Sequence, residues 1–156
     1  MFLFSGCSPE SQGVTSDEEL RAHSKKRTYT TSLNGRNEVP SNESKGAGVA
    51  IVKISKDGNS IWYKVNTANV DDVWGAHFHL APEGSNGGVV AALYANPDQP
   101  SGPANGVLAQ GVITAEDVVG ALAGDLDALI QAINDGMIYV NVHTEGIPSG
   151  ELRGQL

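Results

Sequence analysis

The chain has 156 residues, which is the size of one ordinary domain and enough to bury a core without disulfide bonds. Its formal net charge of −8 at pH 7 argues against nucleic acid or an anionic membrane surface as a partner, because their phosphates would repel it. The single cysteine excludes an intrachain disulfide, and 19 glycines among short apolar runs favour a turn-rich all-β fold over a helical one.

The first residues resemble the end of a lipoprotein signal peptide. Residues 1–7 read MFLFSGC, an apolar stretch that ends in small residues directly before Cys7. In this interpretation Cys7 is lipidated and tethers the protein to a membrane; the alternative is an N-terminus without a role. The polar residues 8–27 predict a disordered linker, and residues 28–156 are the predicted ordered domain.

Short β-type runs separated by turns continue along that domain. The clearest signal is Asp57-Gly58 between two β-rich runs, residues 48–54 and 60–65, which predicts a hairpin. Further strands are predicted over residues 29–33, 73–80, 89–94, 107–113, 137–143 and 151–156. Thr114, followed three residues later by Asp117, predicts the start of a helical stretch that runs to about Asn134, is broken near Gly124-Asp125 and is ended by Gly136. The pattern predicts an antiparallel β-sandwich or barrel with one short helical insertion.

Three of the four histidines lie on predicted strands. Along residues 75–80 the two-residue period of a strand places apolar side chains on one face and both His77 and His79 on the other. Along residues 138–143 the same period places His143 opposite an aliphatic face. Each of the two strands therefore turns its imidazoles away from the core.

A His-x-His pattern on a strand suits a metal ion. The two imidazoles stand on the same side, roughly 6–7 Å apart at the backbone, so both rings can reach one ion at about 2.0 Å. A third histidine from another strand would complete a site of three nitrogens. Imidazole ligands suit copper and zinc, and copper has the higher intrinsic affinity. The alternative is that these histidines are ordinary solvent-facing residues.

Five segments resemble the CHRD (chordin-domain) family. They are residues 33–40 (LNGRNEVP), 75–79 (GAHFH), 111–117 (GVITAED), 139–144 (YVNVHT) and 147–156 (IPSGELRGQL). The CHRD domain is in turn similar to the sandwich of copper/zinc superoxide dismutase. The resemblance therefore implies an extracytoplasmic protein with an antiparallel Greek-key β-sandwich.

The similarity to the dismutase family implies roles for individual residues. That family binds copper through a His-x-His strand and a histidine of a late strand, and keeps an arginine after a Gly-rich turn. The matching positions are His77, His79, His143 and Arg153. Arg153 would draw superoxide to the copper; the alternative is an ion pair with Glu151 or another acid on the surface. No histidine lies between Leu80 and His143, so no zinc subsite is expected.

Other residues are candidates for the surroundings of the ion. Asn141 and Tyr139, on the same predicted face as His143, are candidates for hydrogen bonding to the ligands. The fourth coordination position is open to water or to a carboxylate. The candidate carboxylates are Glu38, Glu83 and Glu145.

Three functions remain open at this point. The first, which we expect, is a protein that stores, delivers or buffers one copper ion per chain, and that is secreted or lipid-anchored at the cell surface. The second is a copper-only enzyme that disproportionates superoxide, with Arg153 as its catalytic residue. The third is a metal-free module that binds a protein or a polysaccharide, since a sandwich fold is compatible with all three.

Overall fold

The computed structural model describes residues 26–156. The predicted signal segment with Cys7 and residues 8–25 of the predicted linker lie outside the described residues. Arg27, which was expected to end the linker, already belongs to the fold, because its carbonyl accepts a hydrogen bond of 2.8 Å from the backbone N–H of Ile54. Within the described part, no helix is long and apolar enough to cross a membrane.

Eight strands make up most of the described chain, and the all-β prediction is confirmed. The strands are β1 (Thr28–Asn34), β2 (Ala47–Ile54), β3 (Ile61–Asp71), β4 (Val73–Leu80), β5 (Gly88–Ala95), β6 (Pro103–Ile113), β7 (Ile138–Thr144) and β8 (Leu152–Gln155). β3 runs six residues past its predicted end at Val65, and β6 begins four residues early. Register shifts keep these polar extensions paired, and Asn69 takes a φ of 56° at one of them.

The strands follow the order β5-β4-β7-β8-β1-β2-β3-β6, and every pairing between them is antiparallel. β8 and β1 are joined by a single residue pair, Arg153 with Asn34. The sheet therefore consists of two four-stranded halves that meet at one narrow seam. This arrangement agrees with the sandwich-like architecture expected from the sequence.

The helical insertion between β6 and β7 differs from its prediction. Two 3₁₀ turns, Ala115–Asp117 and Gly120–Leu122, precede a short helix, α1 (Leu126–Asn134). The part of the expected helical stretch before Gly124 forms only these 3₁₀ turns, because Gly120 and Gly124 take positive φ values of 63° and 76°. The break predicted near Gly124-Asp125 is present, and α1 begins directly after it, where the side chain of Asp125 caps the N–H of Ala128.

The apolar core lies on the inner faces of the strands, and α1 packs onto it. Phe78 of β4 and Val140 of β7 are fully buried there, together with Leu129 and Ile133 of α1. This placement confirms the predicted apolar faces of β4 and β7. It also fixes their histidines on the opposite, outer face of the same half of the sheet.

The outer face of β7 is also covered, so all seven residues of this strand are buried. The segment between β1 and β2 contacts this face through Glu38, which accepts from Asn141, and Asn42 Nδ2 donates to the carbonyls of Gly150 and Glu151 after the strand. The loop between β4 and β5 joins this cover, because Asn86 Nδ2 donates to the carbonyl of Val39. The alternative that these histidines are ordinary solvent-facing residues is therefore wrong for His79 and His143, which are buried, and His77 is half-buried.

Candidate metal centre

The three strand histidines converge on one point of the outer face. His77 and His79 are two residues apart on β4. His143 lies on the adjacent strand β7, where it pairs with Gly75, two residues before His77. One ring nitrogen from each lies within 4.8 Å of the others. The neighbouring strands therefore bring together the three side chains that the sequence singled out.

Each of the three histidines has one buried ring nitrogen that lacks a hydrogen bond. His77 Nδ1, His79 Nε2 and His143 Nε2 are buried and have no hydrogen-bond partner among residues 26–156. Only one other buried side-chain atom of the described chain is in this situation. Leaving a buried polar atom unpaired costs about 1–3 kcal/mol. Three such lone pairs at one point fit a metal ion, which would satisfy all of them at once.

Backbone carbonyls fix two of the imidazoles. His79 Nδ1 lies 2.9 Å from the carbonyl oxygen of Gly87, and His143 Nδ1 lies 3.1 Å from that of Pro148. Because a carbonyl can only accept, each Nδ1 donates a proton, and each Nε2 keeps its lone pair for the cluster. Sequence reasoning missed both partners, since a backbone carbonyl leaves no signal in residue identity.

Asn141 and Tyr139 lie beside the histidines but do not hydrogen-bond to them. Asn141 Nδ2 donates to a carboxylate oxygen of Glu38 and to the carbonyl of Leu152. The hydroxyl of Tyr139 accepts from the N–H of Gly87 at 3.2 Å. Both residues therefore act on the segments around the site rather than on the rings directly.

Burial keeps the three imidazoles neutral. It is the main cause that lowers the pKa of each, and the neighbouring imidazoles of His77 and His79 contribute further to lowering the pKa of His143, to about 4. The hydrogen bond to Pro148 only partly opposes this shift. A neutral imidazole is the form that binds a metal, so at neutral pH no proton has to leave.

Two aromatic rings flank the cluster. Trp74 stacks on His143 with 4.9 Å between ring centroids and 29° between planes. Tyr139 stacks on His79 at 5.0 Å and 13°. These contacts restrict the rotation of both imidazoles, so their free nitrogens stay directed at the common point.

Arg153 is buried beside the cluster, with 2% of its surface exposed. Its guanidinium donates to Asn86 Oδ1 at 3.0 Å and to the Ser85 carbonyl at 2.6 Å, and lies 3.5 Å from the ring centroid of Tyr139. The alternative of a surface pair with Glu151 is wrong: the carboxylate of Glu151 instead accepts from the hydroxyls of Ser44 and Thr144.

The structure does not bring the candidate carboxylates into the cluster, which among residues 26–156 contains histidines alone. Glu38 is buried against Asn141, and burial raises the pKa of its carboxyl group. Glu83 and Glu145 are exposed. The fourth position of a metal ion bound here would therefore be left to water.

The fold and the site define an all-β domain with a three-histidine centre on the outer face of one half-sheet. Residues 29–156 match the family model of the CHRD domain. The chain belongs to the CHRD domain family, which confirms the resemblance seen in the sequence. CHRD domains are typically extracellular modules of β-fold. No match to a curated protein or to a solved structure was found.

Proposed function

We propose that this protein binds one copper ion per chain through His77, His79 and His143, and that it stores, delivers or buffers copper. The observation that carries the proposal is that the three histidines bring one ring nitrogen each within 4.8 Å of the others, and that each of them has a buried ring nitrogen without a hydrogen-bond partner among the described residues. A folded domain that leaves three such groups unpaired gains stability from any ligand that satisfies them.

The donor set favours copper over other divalent ions. Three neutral imidazoles without a carboxylate or thiolate suit copper and zinc, and copper binds more tightly to such ligands. Magnesium and calcium prefer oxygen ligands, which this cluster does not supply among residues 26–156. We propose no separate zinc subsite, because the chain has no histidine between Leu80 and His143.

The burial of Arg153 favours copper binding over superoxide turnover. Attraction of an anion to the metal requires a cation that the anion can reach. Arg153 is 2% exposed, and its guanidinium is already engaged by Ser85, Asn86 and Tyr139. The guiding role that the dismutase similarity implied for this arginine therefore lacks an accessible charge.

The proposed setting is outside the cytoplasm. The typically extracellular location of CHRD domains supports a secreted or surface location. Lipidation at Cys7 would tether the domain to a membrane through the linker that lies between Cys7 and the domain. Growth with a labelled fatty acid tests this step: the parent is labelled and a Cys7→Ala variant is not, whereas equal labelling would contradict the tether.

Metal analysis of the purified protein tests the proposed function. Protein prepared without a metal-affinity tag or chelator is titrated with copper(II) and with zinc(II) and then analysed for bound metal. We expect one copper per chain, retained in competition with equimolar zinc. The electron paramagnetic resonance spectrum should be nitrogen-rich and of non-blue type, since a blue site needs a thiolate.

The matched control is a triple variant in which His77, His79 and His143 are all replaced by Gln. It keeps polar side chains at the same positions and should bind no copper. Copper binding by the triple variant equal to that of the parent would place the site elsewhere and refute the proposal. An intense blue absorption band would show that the ligand set is different.

A further inference from the structure

A closed ring of contacts connects Arg153 to His79. Arg153 holds the loop between β4 and β5 through the Ser85 carbonyl and the Asn86 side chain. The carbonyl of the next residue of that loop, Gly87, accepts a hydrogen bond from Nδ1 of His79. The same loop is held from the other side, because the N–H of Gly87 donates to the hydroxyl of Tyr139.

The ring closes through a stack of planar groups. Tyr139 lies on β7 between β4 and β8, so His79 and Arg153 approach it from the two neighbouring strands. The imidazole of His79 is stacked on the Tyr139 ring at 5.0 Å, and the guanidinium of Arg153 lies 3.5 Å from its centroid. Arg153 therefore reaches His79 by two routes, one through the loop backbone and one through the aromatic ring.

We propose that Arg153 is a positioning residue: it holds the Gly87 carbonyl on Nδ1 of His79, and so keeps Nε2 of His79 free to bind metal. The use of that nitrogen rests on the proposed copper-binding function, whereas the fixed tautomer does not. Burial of 98% is expensive for a guanidinium that has no carboxylate within ion-pair distance among residues 26–156 and only a longer-range Coulombic interaction with Glu38. The contacts of the buried guanidinium with the β4–β5 loop and with the Tyr139 ring explain why it is buried there: they hold the loop in place.

The geometry requires arginine rather than any cation. The two Nη groups of the guanidinium donate to two different acceptors, and its Cζ lies 3.5 Å from the centroid of the Tyr139 ring. A planar fork can do both at once, whereas an ammonium is a compact point charge. An Arg153→Lys variant should therefore keep the positive charge but no longer hold the Gly87 carbonyl on His79.

No residue other than glycine fits at position 87 of the loop. A Cβ at this position would lie 1.8 Å from the carbonyl oxygen of Leu80, which no side chain can occupy. The backbone of the loop thus runs directly against the end of β4, where it carries both the acceptor for His79 and the donor to Tyr139. A small displacement of this loop removes the hydrogen bond that fixes His79.

His143 provides an internal control, because its Nδ1 donates to the carbonyl of Pro148, which lies in a different loop, between β7 and β8. The side chain of Arg153 is held by Ser85, Asn86 and Tyr139, none of which belongs to the loop that contains Pro148. A general loosening of the domain would release both histidines. Loss of the Arg153 contacts should release His79 alone.

The experiment measures the imidazole tautomers of the metal-free protein at neutral pH by long-range ¹H–¹⁵N correlation spectra. In the parent, His79 and His143 should both be Nδ1–H tautomers. In Arg153→Met, which keeps the length of the apolar stem, His79 should become a mixture of tautomers while His143 stays unchanged. Arg153→Lys should resemble Arg153→Met. A companion variant, Asn86→Ala, changes an exposed loop residue and should shift His79 in the same direction.

Each outcome decides the proposal. If His79 remains an Nδ1–H tautomer in Arg153→Met, or if Arg153→Lys preserves the parental state, the positioning role is refuted. Equal loss at His79 and His143 would also refute it, in favour of a general structural role. If Arg153→Met does not fold, an unchanged His79 tautomer in Asn86→Ala refutes the proposal, and a shifted one supports it.

Copper titration of the same variants separates this inference from the proposed function. A lost outer hydrogen bond typically weakens metal binding by about 10–100-fold, so we expect that loss in Arg153→Met. If the parent binds no copper, the proposed function fails while the tautomer result still stands. If the parent binds copper and Arg153→Met binds it equally well, the positioning inference fails alone.

Discussion

The imidazole of His77 lies over the bare backbone of Gly75, two residues earlier on β4. A Cβ added to Gly75 would stand 3.0 Å from His77 Cε1, closer than ordinary contacts allow. The absence of a side chain at Gly75 therefore leaves room for the ring position in which Nδ1 meets the other two histidines.

Gly75→Ala should displace the His77 ring and weaken copper binding by about 10–100-fold, as other losses of ligand positioning do. The free energy of unfolding of the metal-free protein should change by less than about 1 kcal/mol, because only a side chain of the site moves. Isothermal titration gives the affinity and urea unfolding gives the stability.

Gly88→Ala is the matched control for this change. Gly88 lies on the neighbouring strand β5, and a Cβ there would meet nothing within 4 Å. This variant should bind copper like the parent. Equal affinities for Gly75→Ala and Gly88→Ala would mean that the His77 ring needs no such space.

His77→Ala should separate the site from the scaffold. The ring of His77 is only half-buried and its Nδ1 has no hydrogen bond to the described residues, so its loss should change the stability of the metal-free protein by no more than about 1 kcal/mol. The additional stability that copper gives the parent should disappear, since that term requires binding to the native state. Thermal unfolding with and without copper measures both effects.

The control for His77→Ala is Phe78→Ala on the same strand. Phe78 is fully buried in the core, and its truncation should lower the free energy of unfolding by about 3–5 kcal/mol with or without copper. A benign Phe78→Ala together with an unfolded His77→Ala would mean that the two faces of β4 are reversed.

The metal-free protein should lose stability as the pH falls from about 6.5 to about 4. The pKa of His143 is lowered to about 4 by burial, whereas the unfolded chain binds that proton near pH 6.5. Between these values the unfolded chain holds more protons, so the free energy of unfolding rises with pH and is level above the window. The pKa shift of His143 alone corresponds to roughly 3 kcal/mol.

His143→Gln tests this assignment, because it removes the titrating group and keeps a polar side chain. Urea unfolding across the pH window should give a flatter profile for the variant than for the parent. The lowered pKa values of His77 and His79 act in the same direction and remain in both proteins. An unchanged slope in His143→Gln would show that other groups cause the acid sensitivity.

Copper(II) should quench the fluorescence of Trp74. Its ring stacks on His143 at 4.9 Å between centroids, which places the indole against a metal ligand. The second tryptophan, Trp62, lies on β3 in the other half of the sheet. A Trp62→Phe variant should keep the copper-dependent quenching, and a Trp74→Phe variant should lose most of it.

Zinc(II) is the control for this measurement, because a closed-shell ion at the same site should quench far less than copper(II). Quenching that persists in Trp74→Phe would mean that copper binds near Trp62 instead. The titration then also gives the stoichiometry at the site.

The sequence predicted the parts of the site that follow from strand geometry. The two-residue period assigned the histidines to one face of β4 and β7, and those three residues are together in the structure. It did not predict the cover over that face. The cover depends on side chains such as Asn42 and Asn86 reaching backbone carbonyls far along the chain, and such pairings are set by the tertiary fold.

The same limit applies to the helical insertion and to the long strands. The capping pattern at Thr114 and Asp117 is present, since the Asp117 carboxylate accepts from the Thr114 N–H at 2.8 Å, but it starts only a 3₁₀ turn. The extension of β3 to Asp71 passes through polar residues such as asparagine and aspartate, which have a low propensity for strands. Pairing with β6 overrides that propensity.

The position of β8 at the narrow seam gives copper an influence beyond its ligands. Within residues 26–156, β8 meets β1 through a single residue pair, Arg153 with Asn34, and the side chain of Arg153 secures the loop against His79. Local opening that frees β8 from its other neighbour, β7, would pull Arg153 from that loop and release the imidazole of His79. Because a bound ion needs this imidazole, it would disfavour every partly opened form of the domain in which β8 has separated from β7. Loss of the ion would therefore permit local opening at β8 first.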